Sequence, residues 1–178
     1  MTQYTEQIRA QASRIKCIIT DVDGVLTDGA IIYDNAGMEY KHFNVKDGQI
    51  IKHLKEAGIL VGVITGRDSD VVRLRCEELK MNFHHHGIKD KGSLLKEILT
   101  TYKMQLPEVA YIGDDLNDLP ILSKVGLAAT PQDGHDKLDP FVDIRTKKMG
   151  GQGVLREVAD LIIESKGLYP SIIEKLVI

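Results

Sequence analysis

Short apolar segments alternate with stretches of helical periodicity along most of this chain. The apolar segments lie at 15–20, 59–65, 109–113, 125–129 and 141–144, and the amphipathic stretches lie at 49–57, 69–80, 92–102, 118–124 and 153–165. This alternation is typical of βαβ units, in which right-handed crossovers join parallel strands that are buried on both faces. The pattern therefore predicts an α/β fold built on a doubly wound parallel sheet.

Two segments depart from this alternation. Residues 28–44 contain two strand-like pieces around an Asp-Asn-Ala-Gly turn, which predicts a β-hairpin inserted above the sheet. Such a hairpin is either a passive surface feature or a site of pairing with another subunit, and we favour assembly. The apolar tail at 168–178 either docks on its own core or inserts into a neighbouring subunit.

Composition narrows the class of protein. A chain of 178 residues, 43% of them hydrophobic and 28% charged, suits a single globular domain spanning residues 1–178. The net charge of −3 gives no basic excess, so we expect neither nucleic acid nor a membrane as a partner. No apolar stretch approaches the roughly 20 residues that span a bilayer, and the start at 1–11 is polar, so a cytoplasmic location is expected.

Neither the two cysteines nor the run of three histidines is predicted to bind a metal ion. Cys17 and Cys76 are predicted to be buried free thiols rather than a disulfide or a metal pair. Consecutive side chains on an extended segment alternate in direction, so His84, His85 and His86 cannot all reach one ion. The run is predicted to be the end of a strand near the entrance of the site.

Asp21 and Asp23 come directly after the first apolar segment. Ligands bind at the carboxyl ends of the strands in open α/β sheets, so both acids are candidates for chemistry. Residues two apart on an extended chain point the same way, and their mutual repulsion favours a cation between them. A hard cation such as Mg²⁺ fits oxygen ligands better than zinc does, whereas the alternative is an Asp-rich turn at Gly24.

Four short motifs follow the predicted strand ends in order: Asp21-Val-Asp23, Thr65-Gly-Arg67, Lys91 and Gly113-Asp-Asp-Leu-Asn-Asp118. Together they resemble the haloacid dehalogenase superfamily, whose core is Rossmann-like. Through Asn44-Val-Lys-Asp-Gly48 and Gly150-Gly-Gln-Gly153 the chain is most similar to the 3-deoxy-D-manno-octulosonate 8-phosphate phosphatases. These lack a cap domain, and the short segments between the motifs here leave no room for one.

The resemblance implies a role for each motif residue. Asp21 would attack phosphorus and form an aspartyl phosphate, and Asp23 would act as general acid and base. Mg²⁺ would be held by Asp21, the backbone carbonyl of Asp23, and Asp114, while Thr65 and Lys91 bind the phosphoryl oxygens.

The acids near the end of the fourth motif carry open alternatives. Asp115 and Asp118 could each hold a metal-bound water or Lys91, or cap the following helix, and we favour a supporting role for Asp118.

The implied substrate is a small acidic sugar phosphate, 3-deoxy-D-manno-octulosonate 8-phosphate, hydrolysed in lipopolysaccharide core biosynthesis. Arg67 and Arg75 lie eight residues apart, so they can border one cleft and bind the carboxylate. Lys46 stands at a position where arginine is common in the family, and Gln152 stands where a basic residue is common. The implied substrate contacts are Asp23, Asn44, Val45, Lys46, Asp47, Gly48, Arg67, Arg75, Lys91 and Asn117.

Two other functions remain open. One is a phosphatase acting on another acidic sugar phosphate, such as a nonulosonate 9-phosphate, although Arg67 favours the eight-carbon substrate. The other is a non-catalytic oligomerisation module. The family resemblance also implies a homotetramer, because without a cap domain another copy must close the site.

Overall fold

A computed structural model describes residues 4–177. Residues 1–3, at the predicted polar start, and Ile178, at the end of the predicted apolar tail, lie outside the described residues. Within 4–177, no helix combines the length and the apolar character needed to cross a membrane.

The core is a six-stranded sheet in which every neighbouring pair of strands is parallel. Its strands are β1 (Cys17–Thr20), β4 (Leu60–Ile64), β5 (Phe83–His85), β6 (Val109–Ile112), β7 (Leu127–Thr130) and β8 (Ile144–Arg145), and a separate hairpin consists of β2 (Ile32–Tyr33) and β3 (Glu39–Tyr40). The strand order is β5-β4-β1-β6-β7-β8, so β1 lies inside the sheet between β4 and β6. This arrangement confirms the predicted doubly wound α/β fold.

Helices cover both faces of the sheet. Alternate side chains of β1 serve the two faces, since Ile18 packs in one core cluster and Cys17 and Ile19 pack in the other. The helices are α1 (Glu6–Arg14), α2 (Val45–Glu56), α3 (Asp70–Glu78), α4 (Lys91–Thr101), α5 (Leu119–Leu122), α6 (Val154–Ser165) and α7 (Tyr169–Val177). The first cluster includes side chains of α1, α2, α3 and α6, and the second includes side chains of α4 and α5.

The boundaries of several elements differ from those predicted. Helix α1 was missed, and it begins where the Thr5 hydroxyl accepts from the backbone N–H of Ile8. Helix α2 begins at Val45 rather than at residue 49, because the Asn44 side chain accepts from the N–H of Lys46. The strand predicted at 141–144 is wrong over most of its length: a 3₁₀ helix, Asp136–Phe141, precedes β8.

The hairpin is confirmed, and the apolar tail forms a helix. Strands β2 and β3 are antiparallel, with Ile32 opposite Tyr40. Helix α7 docks on its own chain through Ile172, which packs in the core, while Leu176, one turn further along the helix, is 64% exposed. The part of the tail that the structure describes therefore lies against its own core at Ile172 and leaves apolar side chains exposed near its end.

Asp47 links α2 to α6. Helix α6 begins after Gly153, which has a left-handed φ of +97° and offers no side-chain cap. Asp47 supplies that cap, since its Oδ1 accepts from the Arg156 N–H at 2.7 Å. The carboxyl group is buried, and burial raises the pKa of Asp47 to about 6 although the Arg156 N–H lowers it. Asp47 therefore has a structural role in the fold, and the expected substrate contact at this residue stays a prediction.

The cap at Asp47 yields a prediction for stability and its pH dependence. The pKa of Asp47 is about 6 in the folded chain and about 3.9 in the unfolded chain. The folded state therefore binds more protons between about pH 4 and 6, and the free energy of unfolding falls as pH rises through this window. Asp47→Asn keeps the acceptor and removes the contribution of Asp47 to this slope, whereas Asp47→Ala should lose about 0.5–2 kcal/mol of stability. Urea unfolding at about pH 4 and about pH 6 measures the free energy of unfolding of each variant. Equal losses of this free energy in Asp47→Asn and Asp47→Ala would contradict the capping role.

Candidate active site

The loops that follow three adjacent strands meet at one edge of the sheet. Asp21 follows β1, Thr65 follows β4 and Asp114 follows β6 by two residues, while Lys91 is the first residue of α4. Because the strands are parallel, their carboxyl ends share this edge. The sequence motifs are thus brought to the same end of the sheet by its topology.

Lys91 is the centre of a buried ionic network. Its Nζ donates to Asp21 Oδ2 at 2.6 Å and to Asp118 Oδ1 at 2.7 Å. The Tyr111 hydroxyl also donates to Asp118 Oδ1, at 2.6 Å. Lys91 is only 2% exposed, and burial alone would lower its pKa, but the two carboxylates raise it. Lys91 is therefore held as a cation directly beside Asp21.

Asp118 fixes the loop that carries Asp114. Its Oδ2 accepts from the backbone N–H of Asp114 at 3.0 Å, while its Oδ1 contacts Lys91. A Cβ on Gly113 would lie 2.4 Å from the Asp118 Cγ, so this approach requires glycine. These contacts confirm the supporting position expected for Asp118. Asp115 instead caps the 3₁₀ helix Leu116–Asp118 by accepting from the Leu116 N–H.

Carboxylate oxygens of Asp21, Asp114 and Asp118 lie within 4.8 Å of one another. Burial and the charge of Asp118 raise the pKa of Asp21 to about 6, and burial and the charge of Asp21 raise the pKa of Asp114 to about 7. A divalent cation would offset this repulsion. Four groups donate to the Asp118 oxygens, namely Lys91, Tyr111 and two backbone N–H groups, whereas only Lys91 and the Val22 N–H donate to Asp21. Asp21 and Asp114 are therefore the carboxylates that better fit a hard ion such as Mg²⁺.

Gly24 makes room for the acidic group. Its φ is +79°, and a Cβ at this position would lie 2.1 Å from Asp114 Oδ2. Gly150 packs on the same turn, since a Cβ there would lie 2.3 Å from the Gly24 carbonyl oxygen. The glycines of two separate motifs thus allow the loops around Asp114 to approach closely.

Asp23 does not share a cation with Asp21 through its carboxylate, contrary to the sequence-based expectation. The chain turns immediately after Asp21, where the N–H groups of Leu26 and Thr27 point to the Val22 carbonyl. The Asp23 carboxylate instead pairs with Lys41 and lies 3.6 Å from the Arg67 Nε. The metal contact expected through the Asp23 backbone carbonyl stays a prediction.

The hairpin supplies residues that sequence reasoning missed. Glu39 accepts from the Arg67 Nη2 at 2.8 Å, and the Tyr33 hydroxyl lies 3.0 Å from the same nitrogen. The Lys41 side chain is fully buried between Asp23 and Glu39. The sequence did offer one indication of these contacts. Glu39 and Lys41 lie two residues apart, and this spacing places both side chains on one side of an extended strand.

The structure does not bring the two predicted arginines to one cleft. Arg67 contacts Asp23, whereas Arg75 pairs with Glu78 at 2.7 Å and lies over the Phe43 ring. Arg75 also lines a groove of about 670 Å³ with Gly48 and residues of α7. The expectation of a shared cleft within one chain is therefore wrong.

The remaining predicted contacts lie around the first turn of α2 and at the sheet edge. The Asn44 side chain donates to the Gly151 carbonyl at 3.1 Å and also caps α2. Val45 and Lys46 are exposed. Asn117 is exposed and its Nδ2 would lie 3.8 Å from a Cβ on Gly66, beside the Thr65 loop.

This sheet, with a basic side chain between acids at its carboxyl edge, defines a haloacid dehalogenase-like hydrolase, and the family model of that description matches residues 81–158. The phosphatase KdsC from Escherichia coli, which acts on 3-deoxy-D-manno-octulosonate 8-phosphate, is 40% identical over 160 residues, covering 90% of this chain and 85% of that protein. The chain belongs to the family of 3-deoxy-D-manno-octulosonate 8-phosphate phosphatases.

Solved structures agree with this assignment. The phosphatase of this name from Yersinia pestis has a TM-score of 0.90 and 39% identity, covering 92% of this chain and 88% of that chain. The 3-deoxy-D-manno-octulosonate 8-phosphate phosphatase from Moraxella catarrhalis, in complex with a magnesium ion, a phosphate ion and a KDO molecule, has a TM-score of 0.93 and 36% identity. The match covers 97% of this chain and 99% of that chain.

The buried position of Lys91 yields a prediction for stability. Lys91→Met should lower the free energy of unfolding by about 3–5 kcal/mol, because it leaves Asp21 and Asp118 buried without their cation. Lys89→Met, two residues away and exposed, should change it by less than about 0.5 kcal/mol. Guanidinium unfolding measures the stability of both variants. Similar unfolding midpoints for Lys91→Met and Lys89→Met would mean that the ionic network contributes little to folding.

Proposed function

We propose that the chain is a Mg²⁺-dependent phosphatase that hydrolyses 3-deoxy-D-manno-octulosonate 8-phosphate to 3-deoxy-D-manno-octulosonate and phosphate. The observation that carries this proposal is the contact of Lys91 with Asp21 and Asp118 beside Asp114. The relative from Moraxella catarrhalis, described with magnesium, phosphate and KDO, supports the metal and the substrate.

Asp21 is the proposed nucleophile. An Asp21 oxygen attacks phosphorus, the bond to the sugar oxygen breaks, and an aspartyl phosphate forms on the enzyme. Lys91 and the Thr65 hydroxyl bind the phosphoryl oxygens, and Lys91 offsets negative charge next to Asp21. Bound Mg²⁺, held by Asp21, Asp114 and the Asp23 carbonyl, supplies the positive charge that lets two anions meet.

Asp23 is the proposed general acid and base. It protonates the leaving sugar oxygen and then takes a proton from the water that hydrolyses the aspartyl phosphate. Its carboxylate contacts Lys41 and Arg67, which hold it away from the Asp21 carboxylate and toward the hairpin. Lys41 is therefore proposed as a positioning residue for Asp23.

Arg67 is the proposed carboxylate-binding residue. It borders the site beside Asp23, and its guanidinium can bind a carboxylate through two parallel hydrogen bonds. In the structure Glu39 accepts from the same guanidinium, so the substrate carboxylate would compete with or join this partner. The other expected substrate contacts stay predictions, namely Asn44, Val45, Lys46, Asp47, Gly48, Arg75 and Asn117.

A nonulosonate 9-phosphate is the alternative substrate, and Arg67 is the residue that argues against it. A non-catalytic oligomerisation module is disfavoured because the residues of the ionic network are all present and in contact. A role in lipopolysaccharide core synthesis follows if the octulosonate is the substrate. A cytoplasmic location stays a prediction from the sequence.

A homotetramer is also proposed. The hairpin leaves Ile31, Tyr33, Met38 and Tyr40 exposed beside the site, and contiguous apolar surface of this kind is typical of protein interfaces. Contact with another copy would cover these side chains and exclude water from the open edge of the sheet.

A phosphate-release screen tests the substrate. Hydrolysis should be fastest with 3-deoxy-D-manno-octulosonate 8-phosphate, slower with neutral hexose phosphates, and abolished for all of them by a chelator. Arg67→Lys should lower kcat/KM for the acidic substrate by about 10–100-fold, because a bidentate ionic contact is lost, and should change neutral substrates far less. The matched control is Arg73→Lys, which alters an arginine paired with Asp68.

The screen separates the candidate functions. Preference for a nonulosonate 9-phosphate would replace the proposed substrate with the alternative, and absence of hydrolysis with every sugar phosphate would favour the oligomerisation module. Equal rates with acidic and neutral sugars would contradict the role of Arg67.

Light scattering tests the assembly. The unmodified chain should have about four times the mass of one copy, and the double variant Ile31→Glu, Met38→Glu should dissociate because charge is introduced into an apolar contact. Leu74→Glu is a matched control, since Leu74 is exposed to a similar degree but lies on α3. A monomer before any substitution, or a tetramer that survives the double variant, would contradict the hairpin interface.

A further inference from the structure

Two histidines and a cysteine meet on the face of the sheet covered by α3. His84 and His86 lie two residues apart at the end of β5, so their side chains point to the same face. Cys76 belongs to α3, which packs on that face. His85 points the other way, with its ring 5.9 Å from that of Phe83. The prediction that three consecutive histidines cannot share an ion is consistent with this, but the pair and Cys76 were not foreseen.

The three side chains offer ligand atoms that all lie within 4.8 Å of one another. His84 Nδ1 and His86 Nε2 are 2.8 Å apart and share a hydrogen bond. Around a tetrahedral Zn²⁺ with bonds of about 2.0–2.1 Å, two nitrogens stand about 3.3 Å apart, and a sulfur and a nitrogen about 3.6 Å apart. The two nitrogens would need to separate by about 0.5 Å to reach tetrahedral spacing, and the Cys76 sulfur lies within 4.8 Å of both.

The ring of His86 has a single polar partner among the described residues. Its Nδ1 is buried without a hydrogen bond, so the contact of Nε2 with His84 is what orients the ring toward the cluster. Burial lowers the pKa of His86 and raises that of the Cys76 thiol to about 11. The histidine is thus ready as a neutral ligand, and the thiol would ionise only when a cation is bound.

We propose that Cys76, His84 and His86 bind one Zn²⁺ ion, with a water at the fourth position. Two imidazoles and a thiolate suit Zn²⁺ and not Mg²⁺, which prefers oxygen ligands. Binding releases one proton, from the Cys76 thiol, while the histidine that donates in the His84–His86 hydrogen bond shifts its N–H to its other ring nitrogen and stays neutral. The nearby charge of Arg73 is offset by its ion pair with Asp68.

The ion would brace a loop of the active site. Backbone hydrogen bonds join the segment after β5 to that loop: Thr65 N–H donates to the His85 carbonyl, and Gly87 N–H donates to the Arg67 carbonyl. Fixing His84 and His86 to α3 would therefore restrict the strand end on which Thr65 and Arg67 rest. This site lies at the edge strand β5, whereas Asp21 follows β1 inside the sheet.

Titration of the metal-stripped chain with Co²⁺, a spectroscopic substitute for Zn²⁺, tests the proposal. We expect a thiolate-to-cobalt charge-transfer absorption that is lost in Cys76→Ser and retained in Cys17→Ser, the other buried cysteine. His84→Asn and His86→Asn should weaken Zn²⁺ binding by at least about 100-fold, since loss of an outer partner alone weakens it by roughly 10–100-fold. His85→Asn should leave it unchanged.

Asp114→Asn separates this site from the acidic site. That variant should keep the charge-transfer absorption and the bound Zn²⁺. Loss of all Zn²⁺ binding in Asp114→Asn, or a cobalt spectrum that is the same in Cys76→Ser as in the unmodified chain, would overturn the proposal. The histidine variants keep the test independent of how well Cys76→Ser folds.

Discussion

The arrangement of the site depends on one buried cation, the ammonium group of Lys91 between Asp21 and Asp118. Removing a charge from water is unfavourable by several kcal/mol, so Lys91 is tolerated only because two carboxylates and the Tyr111 hydroxyl surround it. The same contacts fix Asp21 after β1, α4 at its first residue, and the loop after β6. The interaction that makes Lys91 acceptable in the core therefore also sets the geometry of the proposed nucleophile.

Close approach of backbone segments is the second constraint. Gly24, Gly113 and Gly150 each lie where a Cβ would come within 2.5 Å of another group of the site. These positions let the turn after β1, the loop after β6 and the loop before α6 pack together around Asp114. Glycine is required there by contact between loops, which explains why the motifs that carry the acids also carry glycines.

The sequence predicted what strand topology determines and missed what depends on packing between distant segments. Parallel strands place Asp21, Thr65 and Asp114 at one edge of the sheet, however their side chains pack. The order of the motifs along the chain was therefore sufficient to predict the position of the site. Helical spacing suggested that Arg67 and Arg75 share a cleft, but Arg67 lies before α3 begins and Arg75 lies within it, against Phe43.

Contacts across long sequence separations could not be read from the chain. Asp47 caps a helix 109 residues away, and Lys41 reaches Asp23 only because the hairpin folds back over the sheet edge. Cys76, His84 and His86 likewise come together only when α3 packs on β5.

A crystal of the chain soaked in Mg²⁺ and orthovanadate tests whether Asp21 is the nucleophile beside a bound metal ion. Vanadium should be bonded to an Asp21 oxygen, with the Mg²⁺ ion between Asp21 and Asp114. Vanadate bound away from Asp21, or no ion between these acids, would contradict this role.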